Sequence, residues 1–329
     1  KSYTSNINII TDDKLIYYQL KVNFPKIKIK YKKKFLDEII FYYKKHFKTY
    51  LKLFSLFIRL FETKLILKNE TKNFSEGKSK IWFRSTFPAN WLDIDKDTIF
   101  ERQYRNLFDN NINNKAYLIF LLRHKKDKKI NFFKLKQLVR KIKEKYKNQI
   151  FFPEKSITFF QILGVFSDSF KEKRRILKYT KDKEFRNLFN FGGLKLDLIL
   201  MEELLDGYGG HIQYNKIQGL CFYQFFKKAR NPQTIVNYGE LFTHSKAYYY
   251  FIKQLNFDHK IISLQHAING KNKIQSYFRK SEFLSISKKT FGYSYCPAPD
   301  YLLLQGKQYF DIAKEFFDED KLKIIGSMK

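Results

Sequence analysis

Glu240 and His266 are the side chains in this sequence whose types and positions best suit proton transfer. Each follows a short apolar run: TIVNYGE ends at Glu240, and KIISLQHA carries Gln265 and His266. A carboxyl group at a strand end can take the proton from an incoming hydroxyl if burial lifts its pKa toward neutrality. An imidazole there can relay that proton, or donate to a phosphate or a developing oxyanion. Both also have plainer uses, Glu240 as a solvent-facing neighbour of a helix cap and His266 as a hydrogen-bonded residue beneath a loop. The remaining apolar runs end in further polar residues: Ser85 and Thr86 after IWFR, Arg123 and His124 after AYLIFLL, and Glu154 after QIFFP.

Short apolar runs separated by helix-length segments are the pattern of parallel strands joined by crossovers, because a parallel return needs a dozen residues or more. The expected fold is therefore α/β, a doubly wound, mainly parallel Rossmann-like sheet over residues 76–329, preceded by an irregular and amphipathic helical region over 1–75. In such a sheet ligands bind beyond the carboxyl ends of the strands, so the residues named above would gather along one edge. The polar stretch Asn69 to Lys80 reads as a linker, and Ile81 to Arg84 as the first strand with Ser85 to Pro88 as its loop. Asp93, Asp95 and Asp97 then read as the acidic start of a helix through Phe100, Tyr104 and Leu107. Further on, the turn Gly207-Tyr208-Gly209-Gly210 precedes a helix starting near His211. Gly209, Gly210 and His211 there can cradle an anion, or can simply stop one helix and connect it to the next. The turn lacks the preceding strand that a dinucleotide fingerprint requires, and Gly77-Lys78-Ser79 lacks the upstream glycine of a phosphate loop.

Phe35 to Leu67 has a helical pattern. Tyr43, Phe47, Tyr50, Leu51, Phe54, Phe57, Ile58, Phe61 and Leu65 recur at three- and four-residue steps, with Lys45, Lys48, Lys52 and Arg59 on the opposite side. This face can pack on the domain, or lie in a membrane surface with its lysines at anionic head groups.

The formal net charge of +32 points at first to nucleic acid. Lys greatly outnumbers Arg, however, and the accompanying excess of Asn, Ile, Phe and Tyr reflects an AT-rich coding bias. Nucleic acid is thus a poor fit as partner, and the charge suits phosphate groups, nucleotides or an anionic membrane surface instead. Cys221 and Cys296 have neither CxxC spacing nor a histidine cluster, which fits a reducing compartment and argues against structural zinc. There is no run of about eighteen uncharged apolar residues and no signal-peptide pattern. The expected location is the cytoplasm, with peripheral attachment to the inner membrane face.

The ordering NYGE, KIISLQHA, PAPDYLLLQGKQYF and KLKIIGS resembles bacterial glycosyltransferases of the GT-B type that build surface carbohydrates such as lipopolysaccharide and capsule. FRSTFPANWL and FERQYRNLF are similar to the opening strand and acceptor-side loop of such proteins. The resemblance implies transfer of a sugar, a CMP-linked acidic sugar among the candidates, from a nucleotide sugar to a glycan or lipid-linked acceptor. No separate cofactor or metal is implied. Glu240 falls on the acidic position, Gln265 and His266 on the Gln-His pair, Pro299 and Asp300 on the turn, and Gly306 and Gly326 on two strand-end glycines. Glu240 would be the base and His266 would orient acceptor or phosphate. Ser85, Thr86, Arg123, His124, Glu154, Gly209, Gly210, His211, Gln265, Asp300 and Gly306 would form the substrate-binding set. Ala267 departs from the family's usual glycine, and the ending at Lys329 leads us to expect the acceptor-side half, with a donor-binding domain to follow. The competing expectation is a non-catalytic protein whose basic surface binds nucleic acid or membrane.

Overall fold

The computed structural model of the protein describes residues 8–11, 14–32, 47–68, 81–86, 92–93, 98–99, 104, 115–121, 131–146, 149–179, 181–191, 193–207, 211–229, 233–238, 243–255, 258–265 and 297–326. In chain order its strands are β1 (Asn8–Thr11), β2 (Lys28–Tyr31), β3 (Ile81–Thr86), β4 (Leu92–Asp93), β5 (Thr98–Ile99), β6 (Lys115–Phe120) and β7 (Ile150–Phe151). These are followed by β8 (Asn190–Phe191), β9 (Leu194–Lys195), β10 (Thr234–Tyr238), β11 (Lys260–Leu264), β12 (Tyr301–Leu304) and β13 (Leu322–Ile324). The chain forms two compact units, each discontinuous in sequence. One is Lys1–Ile58 with Phe160–Tyr214, and the other is Arg59–Phe159 with Asn215–Lys329. Residues 160–214, which the sequence pattern groups with the sheet, thus cluster with the N-terminal segment.

In the first unit β1 and β2 pair in parallel on either side of the helix Lys14–Asn23. The Asn23 amide ties that helix to β9, donating to the Lys195 carbonyl (2.8 Å) and accepting from the Lys195 amide (2.6 Å). β8 and β9 form an antiparallel hairpin whose turn places Gly193 at a φ of 83°, a left-handed conformation that glycine adopts without a Cβ penalty. The helix Phe159–Tyr179 packs against the first turns of the helix Lys48–Ile66 through Tyr50–Phe170, stacked at 5.4 Å, and Phe57–Phe166, edge-on at 5.9 Å. Leu53, Leu56, Leu60 and Thr63 are the buried face of Lys48–Ile66. The aromatic stripe packs only in part, through the edges of Tyr50 and Phe57: Phe47, Tyr50, Leu51, Phe54, Ile58, Phe61 and Leu65 all remain exposed. The helix is apolar on two sides, and its leucine side packs inward.

The second unit is built on a seven-stranded parallel sheet of order β13-β12-β11-β10-β3-β6-β7. The chain starts at the centre with β3, winds outward through β6 and β7, then returns beside β3 and winds the other way through β10 to β13. This is the doubly wound, Rossmann-like arrangement, with its topological switch between β3 and β10. β6, KAYLIF, is buried at all six positions, as expected of a central parallel strand covered on both faces. On one face Phe83, Tyr117, Ile119, Leu121, Val236 and Leu264 form a core with Leu135, Leu138, Val139 and Ile142 of the helix Phe132–Tyr146. On the other face Trp82 meets Phe225 and Phe226 of the helix His211–Ala229 edge-on, at 5.3 and 5.7 Å. Phe222 of that helix packs edge-on at 4.8 Å against Tyr248 of the helix Thr243–Ile252. These two helices approach so closely at Gly219 that a Cβ there would lie 2.9 Å from the Ala247 carbonyl oxygen.

Two local expectations differ from the structure. Ser85 and Thr86 are not a loop but the last two residues of β3, paired in register with Ile119 and Phe120. Hydrogen bonding to β6 carries the strand past the buried Arg84. Leu92–Asp93 and Thr98–Ile99 pair antiparallel, so the segment expected to open a helix begins as a hairpin. The linker expected over Asn69 to Lys80 lies outside the described residues.

Candidate functional site at the sheet switch point

The topological switch point of this sheet lies where β3 and β10 run side by side, with Ile81, Trp82 and Phe83 in register with Thr234, Ile235 and Val236. β3 brings Ser85 and Thr86 to its carboxyl end, the first buried and the second half-buried. β10 ends at Tyr238, whose ring packs edge-on against Tyr104 at 6.0 Å. The Tyr104 hydroxyl donates to the Arg84 carbonyl at 2.9 Å, so one tyrosine links the ends of both strands.

Beneath this edge runs a buried polar network that the sequence alone does not reveal. Arg84 is 4% exposed. Its guanidinium donates through Nη1 to Asn237 Oδ1 (2.5 Å) and through Nη2 to Gln218 Oε1 (2.8 Å). It also lies over the rings of Tyr248 (4.8 Å) and Phe222 (5.6 Å), where the negative ring faces favour a cation. Asn237 turns its amide nitrogen the other way, donating to the Tyr249 hydroxyl (2.6 Å) and Ser245 Oγ (3.1 Å). Tyr249 in turn donates to Ser263 Oγ at 2.8 Å. Neighbouring positions on β3, β10 and β11 are thus locked together through two helices. Burial drives the Tyr248 phenol far above its ordinary pKa, with Arg84 opposing the shift, so Tyr248 stays neutral beside the guanidinium. The network fixes a buried positive charge one residue before Ser85, where a lower effective dielectric makes it count for more than in water.

Glu154 sits three residues beyond β7, in the 3-10 turn Pro153–Ser156, and is completely buried; its carboxyl group accepts from the backbone amide of Leu121, the residue that follows β6. The observed bond makes it a support for the carboxyl end of β6. Around it lie Lys64, which donates to the Ile157 carbonyl, Lys228, which donates to the Ser156 carbonyl at 3.2 Å, and Cys221. Burial pulls the Lys64 ammonium below its ordinary pKa; Lys228 adds to this, while Cys221 and Glu154 oppose it. Burial pushes the Cys221 thiol well above its own, with Glu154 adding to the shift and Lys64 opposing it. The thiol is therefore protonated and unreactive at neutral pH.

The other sequence-derived residues are spread along the chain. Gln265 follows β11 and bridges to β12: its backbone N–H donates to the Leu303 carbonyl (2.9 Å), and its side-chain Oε1 accepts from the Gln305 backbone amide (2.8 Å). Gly306 caps the short helix Lys307–Ala313 at the same edge in an extended conformation. Asp300 precedes β12 and lies at the opposite, amino edge, where it accepts from the Ile261 amide (2.8 Å) and pairs with Lys253 (3.3 Å). His211 is exposed at the start of its helix and belongs to the first unit. Glu240, His266, Arg123, His124, Gly209 and Gly210 lie outside the described residues. Among the described residues no three His, Cys, Asp or Glu side chains are gathered as a metal site would need, and no helix is long and apolar enough to cross a membrane. Comparison with protein-family models, with curated proteins and with solved structures gives no match.

Proposed function

We propose that the sheet is the acceptor-side domain of a glycosyltransferase that moves a sugar from a nucleotide-activated donor, a CMP-linked acidic sugar among the candidates, to a surface glycan or lipid-linked acceptor at the cytoplasmic side of a membrane. The observation that carries this reading is the strand order, whose switch point between β3 and β10 is where an open α/β sheet takes its ligand. In sequence Glu240 stands two residues beyond the end of β10, the strand that pairs with β3. In the proposed mechanism Glu240 takes the proton of the acceptor hydroxyl as the sugar carbon–oxygen bond forms. The nucleotide leaves with the electron pair of the breaking bond, and His266 orients the acceptor or the phosphate. Arg84 acts from beneath, through Asn237, by holding β3 and β10 in register.

The test is sugar transfer by the protein, comparing wild type with Glu240→Gln. A general base contributes about 10²–10⁴-fold, so Glu240→Gln should lower kcat by at least about 10². Transfer at the wild-type rate would remove Glu240 from the mechanism. Absence of transfer by the wild type, together with equal, steeply salt-dependent nucleic-acid binding by both proteins, would favour a non-catalytic basic protein.

A further inference from the structure

Nothing in the sheet accounts for the outer side of the helix Lys48–Ile66. Phe47, Tyr50, Leu51, Phe54, Ile58, Phe61 and Leu65 recur every three or four residues and form one stripe opposite the buried leucines. Phe54 is 63% exposed and Phe61 52%. The stripe runs the full length of the helix, roughly 27 Å at 1.5 Å per residue. The exposed Lys68 follows it at the end of the helix. Within the first unit the antiparallel helix Phe159–Tyr179 packs beside Tyr50 and Phe57. Its outward side carries Phe160, 82% exposed, and Leu163 near its start, then Arg174, Arg175 and Lys178 toward its end.

From this apolar stripe and its basic margins we propose that the two helices form a docking face for an anionic lipid bilayer, with the aromatic side chains among the upper acyl chains and the cations at the head groups. The proposal is independent of the glycosyltransferase reading. A bilayer satisfies both halves of the surface at once, the apolar stripe by burial and the cations by negative lipid charge. A second copy of the chain would oppose like charges across the face, on a molecule whose formal net charge is +32. A helix that lies flat along its length also fits an interface better than a groove-bound peptide does.

Flotation of the full chain with vesicles of equimolar phosphatidylglycerol and phosphatidylcholine, and with phosphatidylcholine alone, tests the proposal. Wild type should float with the anionic vesicles and lose binding as salt rises. Phe54→Glu with Phe61→Glu should bind at least about tenfold more weakly, and Phe160→Glu, on the other helix, should also weaken it; all three positions are exposed, so the fold should survive. Arg174→Gln and Lys178→Gln should each cost about fivefold, the contribution of one cation near an anionic surface. Equal flotation of wild type and variants, equal binding to neutral vesicles, no flotation, or a wild-type dimer that Phe54→Glu dissolves would each overturn the proposal.

Discussion

Replacing Asn237 by leucine keeps the branched outline of the side chain near the end of β10 and removes every polar contact the amide makes. Arg84 loses a charge-assisted acceptor at 2.5 Å, and the hydroxyls of Tyr249 and Ser245 lose donors at 2.6 and 3.1 Å. A hydrogen bond to a charged group contributes about 1.5–3 kcal/mol and a neutral one about 1, so Asn237→Leu should destabilise the sheet unit by about 3.5–5 kcal/mol. Burial prevents water from taking over the lost contacts, since both Asn237 and Arg84 are withdrawn from solvent. Asn237→Asp should cost much less, because a carboxylate still accepts from Arg84 and the two hydroxyls can turn to donate to it. Urea unfolding followed by the fluorescence of Trp82, two residues from Arg84, reads the loss. A cycle with Arg84→Met isolates the pair, and a coupling energy of about 1–3 kcal/mol is expected. A cost below about 1 kcal/mol for Asn237→Leu, or additive single and double variants, would refute the view that the network locks β3 to β10.

Gly219→Ala places a Cβ 2.9 Å from the Ala247 carbonyl and should cost about 1–3 kcal/mol, seen as a lowered thermal midpoint. Cys221 should resist thiol reagents in the native protein and react once urea opens the sheet unit. Its thiol ionises in the unfolded chain from about pH 8.5 but stays protonated when folded. The stability it contributes is therefore complete below that pH and falls as pH rises toward the folded pKa. The difference in urea midpoint between wild type and Cys221→Ala should accordingly shift against the wild type from pH 8 to pH 10, and a constant difference would contradict the assigned burial effect.

The rhythm of the sheet was legible because fully buried parallel strands read as unbroken apolar runs, and the helix Phe132–Tyr146 because its leucines, valine and isoleucine recur on one side. Which side of the helix Lys48–Ile66 turns inward was not legible. Two apolar stripes share its sequence, and periodicity does not rank Leu53, Leu56 and Leu60 above the aromatic residues opposite. Arg84 looked like the polar end of a strand because its partners are distant in sequence: Gln218 is 134 residues away and Asn237 is 153. A buried arginine beside a strand serine becomes intelligible only when those side chains converge. Glu154 was found as a strand-end residue by position, yet its bond to the Leu121 amide depends on the pairing of β6 with β7. The strand-order reversal at β3 and β10 likewise comes from how the crossovers are laid down, which no local pattern records.

Hydrogen exchange of the chain, with and without a panel of free and lipid-linked oligosaccharide acceptors, tests the central claim most directly. Protection confined to the ends of β3 and β10, in peptides covering Arg84 to Thr86 and Asn237 to Glu240, is the predicted result. Protection at the amino edge around Asp300, or none at either strand end, would contradict a functional site at the switch point.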